Sequence, residues 1–224
     1  MPEIESHKRV LDTFTSPIEK PALKWMAAHT PAWITPDTMT WIGIFGALIT
    51  FIGFCLTNLD HVFLWLATLG FVINWLGDSL DGTLARQRNV ERHRYGFYID
   101  HAVDAFNEIL FFLGLGLSPF VRFDLACLAL IGYLLLSILT YLRTCVKGEF
   151  TISYGKLGPT EARLIAIAAN TLVFFIGNPT FKILSVDLSI YDWVVTAIII
   201  VLAIICSSTT YIQSRILSRI DPRK

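Results

Sequence analysis

Six stretches of this chain are long and predominantly apolar, near Met39–Leu56, Val62–Leu80, Tyr98–Leu117, Asp124–Val146, Glu161–Ile176 and Tyr191–Ile212. A helix needs about 20 residues to cross roughly 30 Å of hydrocarbon. The pattern therefore predicts an all-α, polytopic membrane protein with six transmembrane helices, the fifth short enough to call for tilt or extension. Thr35-Pro36-Asp37 reads as the start of the first span, with Thr or Asp as cap, and Thr160 as the cap of the fifth, with Glu161 and Arg163 in its first turn. The short turn Asn58–His61 makes the first two spans antiparallel neighbours, and Ser118-Pro119 ends the third. Gly43 and Gly46 in the first span, and Gly114 and Gly116 in the third, allow helix backbones to approach closely. A loop bearing Gly148, Gly155 and Gly158 precedes the fifth span and is placed to rim a site at that end.

Before the spans, residues 1–35 alternate apolar Val10, Leu11, Phe14, Ile18, Leu23, Trp25 and Met26 with charged Lys8, Arg9, Glu19, Lys20 and Lys24. Pro17 and Pro21 are expected to break any single long helix here. The segment reads as one or two short amphipathic helices at the membrane interface. The domain reading is thus 1–35 interfacial, 36–217 a six-helix transmembrane catalytic domain, and 218–224 a basic tail.

A hydrophobic fraction of 54% fits this reading and leaves no room for a separate soluble domain. The formal net charge of zero conceals an asymmetry. With six spans and an inner N-terminus, 16 of the 18 basic residues fall on one side, Arg122 and Lys182 being the exceptions. The positive-inside rule makes that side cytoplasmic, with both termini and the Asp78–Asp104 connection on it. The four cysteines, Cys55, Cys127, Cys145 and Cys206, lie in or beside apolar segments without CxxC spacing and read as packing residues. No nucleic-acid partner is expected.

The chemistry concentrates in Gly77–Asp104, GDSLDGTLARQRNVERHRYGFYIDHAVD, where Asp78, Asp81, Asp100 and Asp104 stand at the ends of two spans. Carboxylates are costly to keep at a membrane helix and tend to mark function. Residues three or four apart share a helix face, so each pair converges, and two facing pairs would form an oxygen-only site. Such a site suits a hard divalent cation, Mg²⁺ or Mn²⁺. Gly82 lets backbone approach a flat base or a phosphate, Ala85 leaves space one turn after Asp81, Arg86 offers a planar fork for phosphate oxygens, and Gly96 gives access one turn before Asp100. Metal, arginine and glycines together describe phosphoryl transfer. Either Asp100 or Asp104 could take a proton from an attacking hydroxyl.

Asp78-x2-Asp81-Gly82-x2-Ala85-Arg86 followed by Gly96-x3-Asp100-x3-Asp104 resembles the CDP-alcohol phosphotransferase signature, class I. The resemblance implies a six-helix membrane enzyme, usually a homodimer, that displaces CMP from a CDP-linked alcohol by attack of a second alcohol with Mg²⁺ or Mn²⁺. It implies metal ligation by Asp78, Asp81, Asp100 and Asp104, proton acceptance by Asp104, and contact of Gly82, Ala85 and Arg86 with the CDP moiety. The Arg86–Gly96 spacer holds nine residues where the usual pattern has eight, so a one-residue bulge is expected, and the Ser or Thr often found before that glycine is missing. His101 and Gly158-Pro159-Thr160-Glu161 are similar to the branch that transfers a CDP-aminoalcohol (choline or ethanolamine) headgroup to diacylglycerol. The compact length is closer to members that move a phosphatidyl group from CDP-diacylglycerol to a polar alcohol. That is the preferred expectation, with membrane lipid as its medium. A small cation-coupled transporter is the rival, but it would place acids near the bilayer midplane rather than at one end beside arginines.

Overall fold

The computed structural model describes residues 8–10, 13–147, 149–151, 158–183 and 186–221. Among these the apolar segments are helical, as a backbone shielded from water must be if its N–H and C=O groups are to pair within one segment. Seven α-helices are present among the described residues: α1 (Ser16–His29), α2 (Pro36–Leu56), α3 (Leu64–Gln87), α4 (His93–Leu117), α5 (Phe123–Lys147), α6 (Pro159–Ile176) and α7 (Ile190–Ile220). Two short strand pairs accompany them, β1 (Lys8–Val10) parallel to β2 (Glu149–Thr151) and β3 (Thr180–Ile183) antiparallel to β4 (Val186–Ser189).

Five of the described helical segments are long and apolar enough to cross a membrane: Pro36–Leu56, His61–Gln87, Phe123–Val146, Pro159–Ile176 and Ile190–Ile220. The expected third span falls on α4, which is outside this group because it carries Asp100, Asp104 and Glu108. α4 begins at His93, five residues before the expected Tyr98, and α7 continues past the expected end to Ile220.

The local start signals are partly as expected. Thr35 caps α2, its Oγ1 accepting from Thr38 N–H at 3.2 Å while Thr38 Oγ1 accepts from Thr35 N–H at 3.4 Å. At α6 the expectation needs correction. Gly158, not Thr160, is the N-cap, and Glu161 reaches back to accept its N–H at 2.9 Å. The helix starts at Pro159, where a missing N–H is harmless, so Thr160 is already inside. Pro17 and Pro21 do not divide the N-terminal segment, since α1 runs through both. Pro17 sits in the first turn, where no N–H is required, and burial of Leu23 and Ala27 against α3 holds the rest. Residues 148 and 152–157 of the glycine-bearing loop and the last residues of the basic tail lie outside the described residues.

α2 packs along α3 and also meets α4; α3 touches α1 and α6, and α5 lies against α4 and α7. The α2–α3 contact is close because glycines face backbone. A Cβ built on Gly46 would stand 2.3 Å from Asn74 N, and one on Gly77 would stand 2.3 Å from Gly43 N. Phe54, Leu64, Phe71, Val121, Tyr191 and Val195 belong to the larger apolar cluster. A smaller one joins α1 to the membrane helices through Leu23, Ala27, Met39, Leu80 and Leu84.

Polar contacts define two ends. At one, Asn58 Nδ2 donates to Leu117 O, Ser189 Oγ to Phe120 O, and Arg122 N–H to Asp192, at 2.9, 2.9 and 2.8 Å. At the other, Arg88 donates to Thr30 O and Pro31 O, both at 2.9 Å, and Arg92 pairs with Asp37. Glu19 of α1 accepts there from Trp75 Nε1 at 2.7 Å and Thr160 Oγ1 at 2.9 Å. The start of α2, end of α3, start of α4 and start of α6 therefore gather at this second end, beside α1.

Candidate functional site

All eight residues singled out from sequence lie on α3 or α4. Asp78, Asp81, Gly82, Ala85 and Arg86 fall on one unbroken helix, α3, and Gly96, Asp100 and Asp104 on α4. Between them the chain reverses through Arg88–Arg92. Asn89 takes φ 52°, its N–H bonds Arg86 O, and Val90 N–H bonds Ala85 O, which ends α3 in a Schellman-type closure. Asn tolerates the left-handed region better than most residues.

The turn returns α4 alongside the end of α3. One carboxylate oxygen each from Asp78, Asp100 and Asp104 then lie within 4.8 Å of one another, all three residues being half-buried. Asp81 stays outside that trio. It lines the same cleft, and its Oδ2 accepts from Thr40 Oγ1 of α2 at 2.8 Å. The cleft is lined by Thr40, Gly43, Asp78, Asp81, Asp100, Val103 and Asn107. Asn107 is buried, and its Oδ1 takes no hydrogen bond.

Arg163 comes to the cluster from α6. Its Nη2 donates to Asp78 Oδ2 at 2.8 Å, and the side chain is only 9% exposed. A fifth acid, Glu108, continues the acidic face of α4 one turn beyond Asp104. His101 stacks on Phe97 at 4.2 Å between ring centroids, with Tyr141 at 5.4 Å and its Nδ1 3.6 Å from Asp100 Oδ2. Arg86 is exposed, donates to Thr83 Oγ1 at 3.2 Å, and lies over Gly82, where an added Cβ would stand 3.3 Å from Nη1. Ala85 is half-buried beside it, and the space around Gly96 is open.

The donor set of the trio consists of carboxylate oxygens alone, which fits a hard divalent cation and offers nothing soft. The flanking arginines divide into different duties. Arg88 and Arg92 are spent on tying α1 and α2 to the turn, Arg163 faces the acids, and Arg86 stands toward solvent.

Sequence reasoning missed Thr40 and Asn107 as cleft residues and placed Arg163 only in the first turn of the fifth span. No local pattern distinguishes Thr40 from other hydroxyls in apolar helices. Asn107 carried a weak signal, an amide about one turn after Asp104 at the start of an apolar run.

A profile of the CDP-alcohol phosphatidyltransferase family matches residues 33–209. The chain is similar to Cholinephosphotransferase 1 of Danio rerio, 26% identical over 163 residues, which cover 68% of this chain and 41% of that protein. It is also similar to a phosphatidylinositol phosphate synthase of Cutibacterium acnes, 33% identical over 87 residues, covering 38% of this chain and 39% of the other. A third relative is an archaetidylinositol phosphate synthase of Pyrococcus horikoshii, 30% identical over 137 residues, covering 61% of this chain and 69% of that one. The matches thus span about two fifths of the first two relatives and more than two thirds of the third. With the family profile extending over most of the chain and the eight signature positions brought to one end of the helices, this protein belongs to the CDP-alcohol phosphatidyltransferase family.

Proposed function

We propose that the chain is a divalent-metal-dependent CDP-alcohol phosphotransferase of phospholipid synthesis, moving a phosphatidyl group from CDP-diacylglycerol to a polar alcohol and releasing CMP. The observation that carries this reading is the convergence of Asp78, Asp100 and Asp104 from two helices within 4.8 Å, in a chain of this family.

Asp78, Asp100 and Asp104, with Asp81 from the same cleft, would hold Mg²⁺ or Mn²⁺. When bound, the ion would neutralise the donor's diphosphate and the charge that develops on it. The chain's own part is positioning and proton transfer. Gly82 and Ala85 leave room for the cytidine side of the donor, Arg86 projects a guanidinium fork for its phosphate oxygens, and Gly96 keeps the entrance open. Asp104 accepts the proton of the acceptor hydroxyl as that oxygen attacks the phosphorus bearing the lipid alcohol. The bond from that phosphorus to the bridging oxygen breaks, and CMP departs with the electron pair.

The same reading makes residues 36–217 one catalytic domain of six spans, with α4 as the third despite its acids, because Asp100 and Asp104 converge on Asp78 of α3. Residues 1–35 lie at the interface and 218–224 form a basic tail. The site and both termini are cytoplasmic by the charge asymmetry, and the working form is a homodimer. A second reading, transfer of a CDP-aminoalcohol headgroup to diacylglycerol, is favoured by similarity to cholinephosphotransferase and by His101 and Gly158-Pro159-Thr160-Glu161. Purified protein given CDP-diacylglycerol or CDP-choline, Mg²⁺ or Mn²⁺ and a panel of alcohols separates the two. CMP is expected with CDP-diacylglycerol and a polar alcohol, CMP with CDP-choline and diacylglycerol favours the second reading, and no CMP from any pair contradicts both.

A further inference from the structure

Asp78, Asp100 and Asp104 crowd three carboxylates into 4.8 Å, and Glu108 follows on α4. Bringing such groups together is unfavourable unless positive charge accompanies them. Arg163 meets the cluster at Asp78 through one nitrogen, at 2.8 Å, and engages Oδ2 only. Its other terminal nitrogen, Nη1, is buried and makes no hydrogen bond. The guanidinium is delivered from a braced helix start, where Glu161 holds Gly158 N–H at 2.9 Å and Thr160 Oγ1 donates to Glu19 at 2.9 Å. Glu19 in turn accepts from Ser79 at 3.3 Å, the residue next to Asp78. One clasp thereby fixes both partners of the ion pair.

We propose that Arg163 is a positioning residue and resident countercharge, which keeps Asp78 in the acidic array and the array intact whenever no divalent ion is bound. This rests on the metal reading above. Removing one partner of a buried pair is strongly destabilising, whereas removing both is often nearly neutral. A bound divalent cation supplies the same neutralisation, so Arg163 and the ion substitute for one another in stability.

The test uses the full chain in detergent, with unfolding followed in EDTA and in saturating Mn²⁺, and Mn²⁺ uptake read by electron paramagnetic resonance. Arg163→Gln is expected to lower the unfolding temperature in EDTA by ~5 °C or more and to regain most of that in Mn²⁺. Its ion-induced shift should exceed that of the unsubstituted protein. Arg163→Lys, which keeps the charge, should restore most of the EDTA stability. Should Arg163→Gln not survive in EDTA, Asp78→Asn combined with Arg163→Gln is expected to recover it. An equal loss with and without Mn²⁺, or a double variant no more stable than the single one, overturns the role of Arg163 while leaving the metal reading in place. An unsubstituted protein that takes up no Mn²⁺ overturns the metal reading and this role with it.

Discussion

Gly77 lies beside Asp78, and its replacement by alanine connects helix packing to the site in one step. The added Cβ would stand 2.3 Å from Gly43 N and 2.6 Å from both Gly43 Cα and Met39 O. All three are backbone atoms, so no side chain can rotate away. Ordinary contact requires about 3.4 Å or more, so α2 and α3 must separate locally by about 1 Å. Overpacking of this kind typically costs ~1–3 kcal/mol. Displacing Asp78 by the same distance relative to Asp100 and Asp104 is the scale at which catalysis falls ~100-fold. The assay is CMP release at saturating donor and acceptor, with unfolding temperature measured in parallel. Gly96→Ala is the internal control, because a Cβ there meets no atom within 4 Å, and within α4 it should leave stability unchanged or slightly raised. A Gly77→Ala protein with full turnover and unchanged stability would refute the claim that backbone contact between α2 and α3 sets the position of Asp78.

Three other substitutions address single roles. Asp104→Asn should abolish CMP release and, by removing one of the three converging carboxylates, weaken metal-dependent CDP binding, read by equilibrium binding of labelled CDP; unchanged turnover would remove Asp104 as the proton acceptor. Arg86→Ala, at an exposed side chain, should raise the donor KM ~10-fold or more with little change in unfolding temperature; an unaltered KM and rate would count against a phosphate contact. Thr40→Val keeps shape but removes the hydroxyl that donates to Asp81 at 2.8 Å. It should weaken Mn²⁺ affinity ~10–100-fold, as losses of outer hydrogen bonds to ligand carboxylates do, and an unchanged titration would exclude Asp81 from ion binding.

Features set by local chemistry were readable before the structure. The three- and four-residue spacing of the aspartates assigns each pair to one helix face, and Thr35-Pro36-Asp37 marks the start of α2 while leaving Thr and Asp both open as its cap. The glycines of the first span pointed to close packing, which Gly46 makes against Asn74. Local chemistry was less decisive where two signals competed. Thr160 and Gly158 both suit a helix start, and Pro159 between them decided for Gly158. Prolines 17 and 21 argued for a break in α1 that burial of Leu23 and Ala27 overrode. Contacts between distant residues were not legible at all. Arg163 meets Asp78 across 85 positions, and Thr40 meets Asp81 across 41. The nine-residue spacer between Arg86 and Gly96 showed its length but not its form, which depends on Asn89 accepting a left-handed conformation.

On the proposed mechanism, acids from α3 and α4 share a divalent cation at the reacting phosphate. Purified protein turning over its CDP-linked donor is treated with excess EDTA and then supplied with Mg²⁺ or Mn²⁺, with CMP followed throughout. CMP release should stop with the chelator and return on addition of either ion. Release that continues undiminished in EDTA would contradict it.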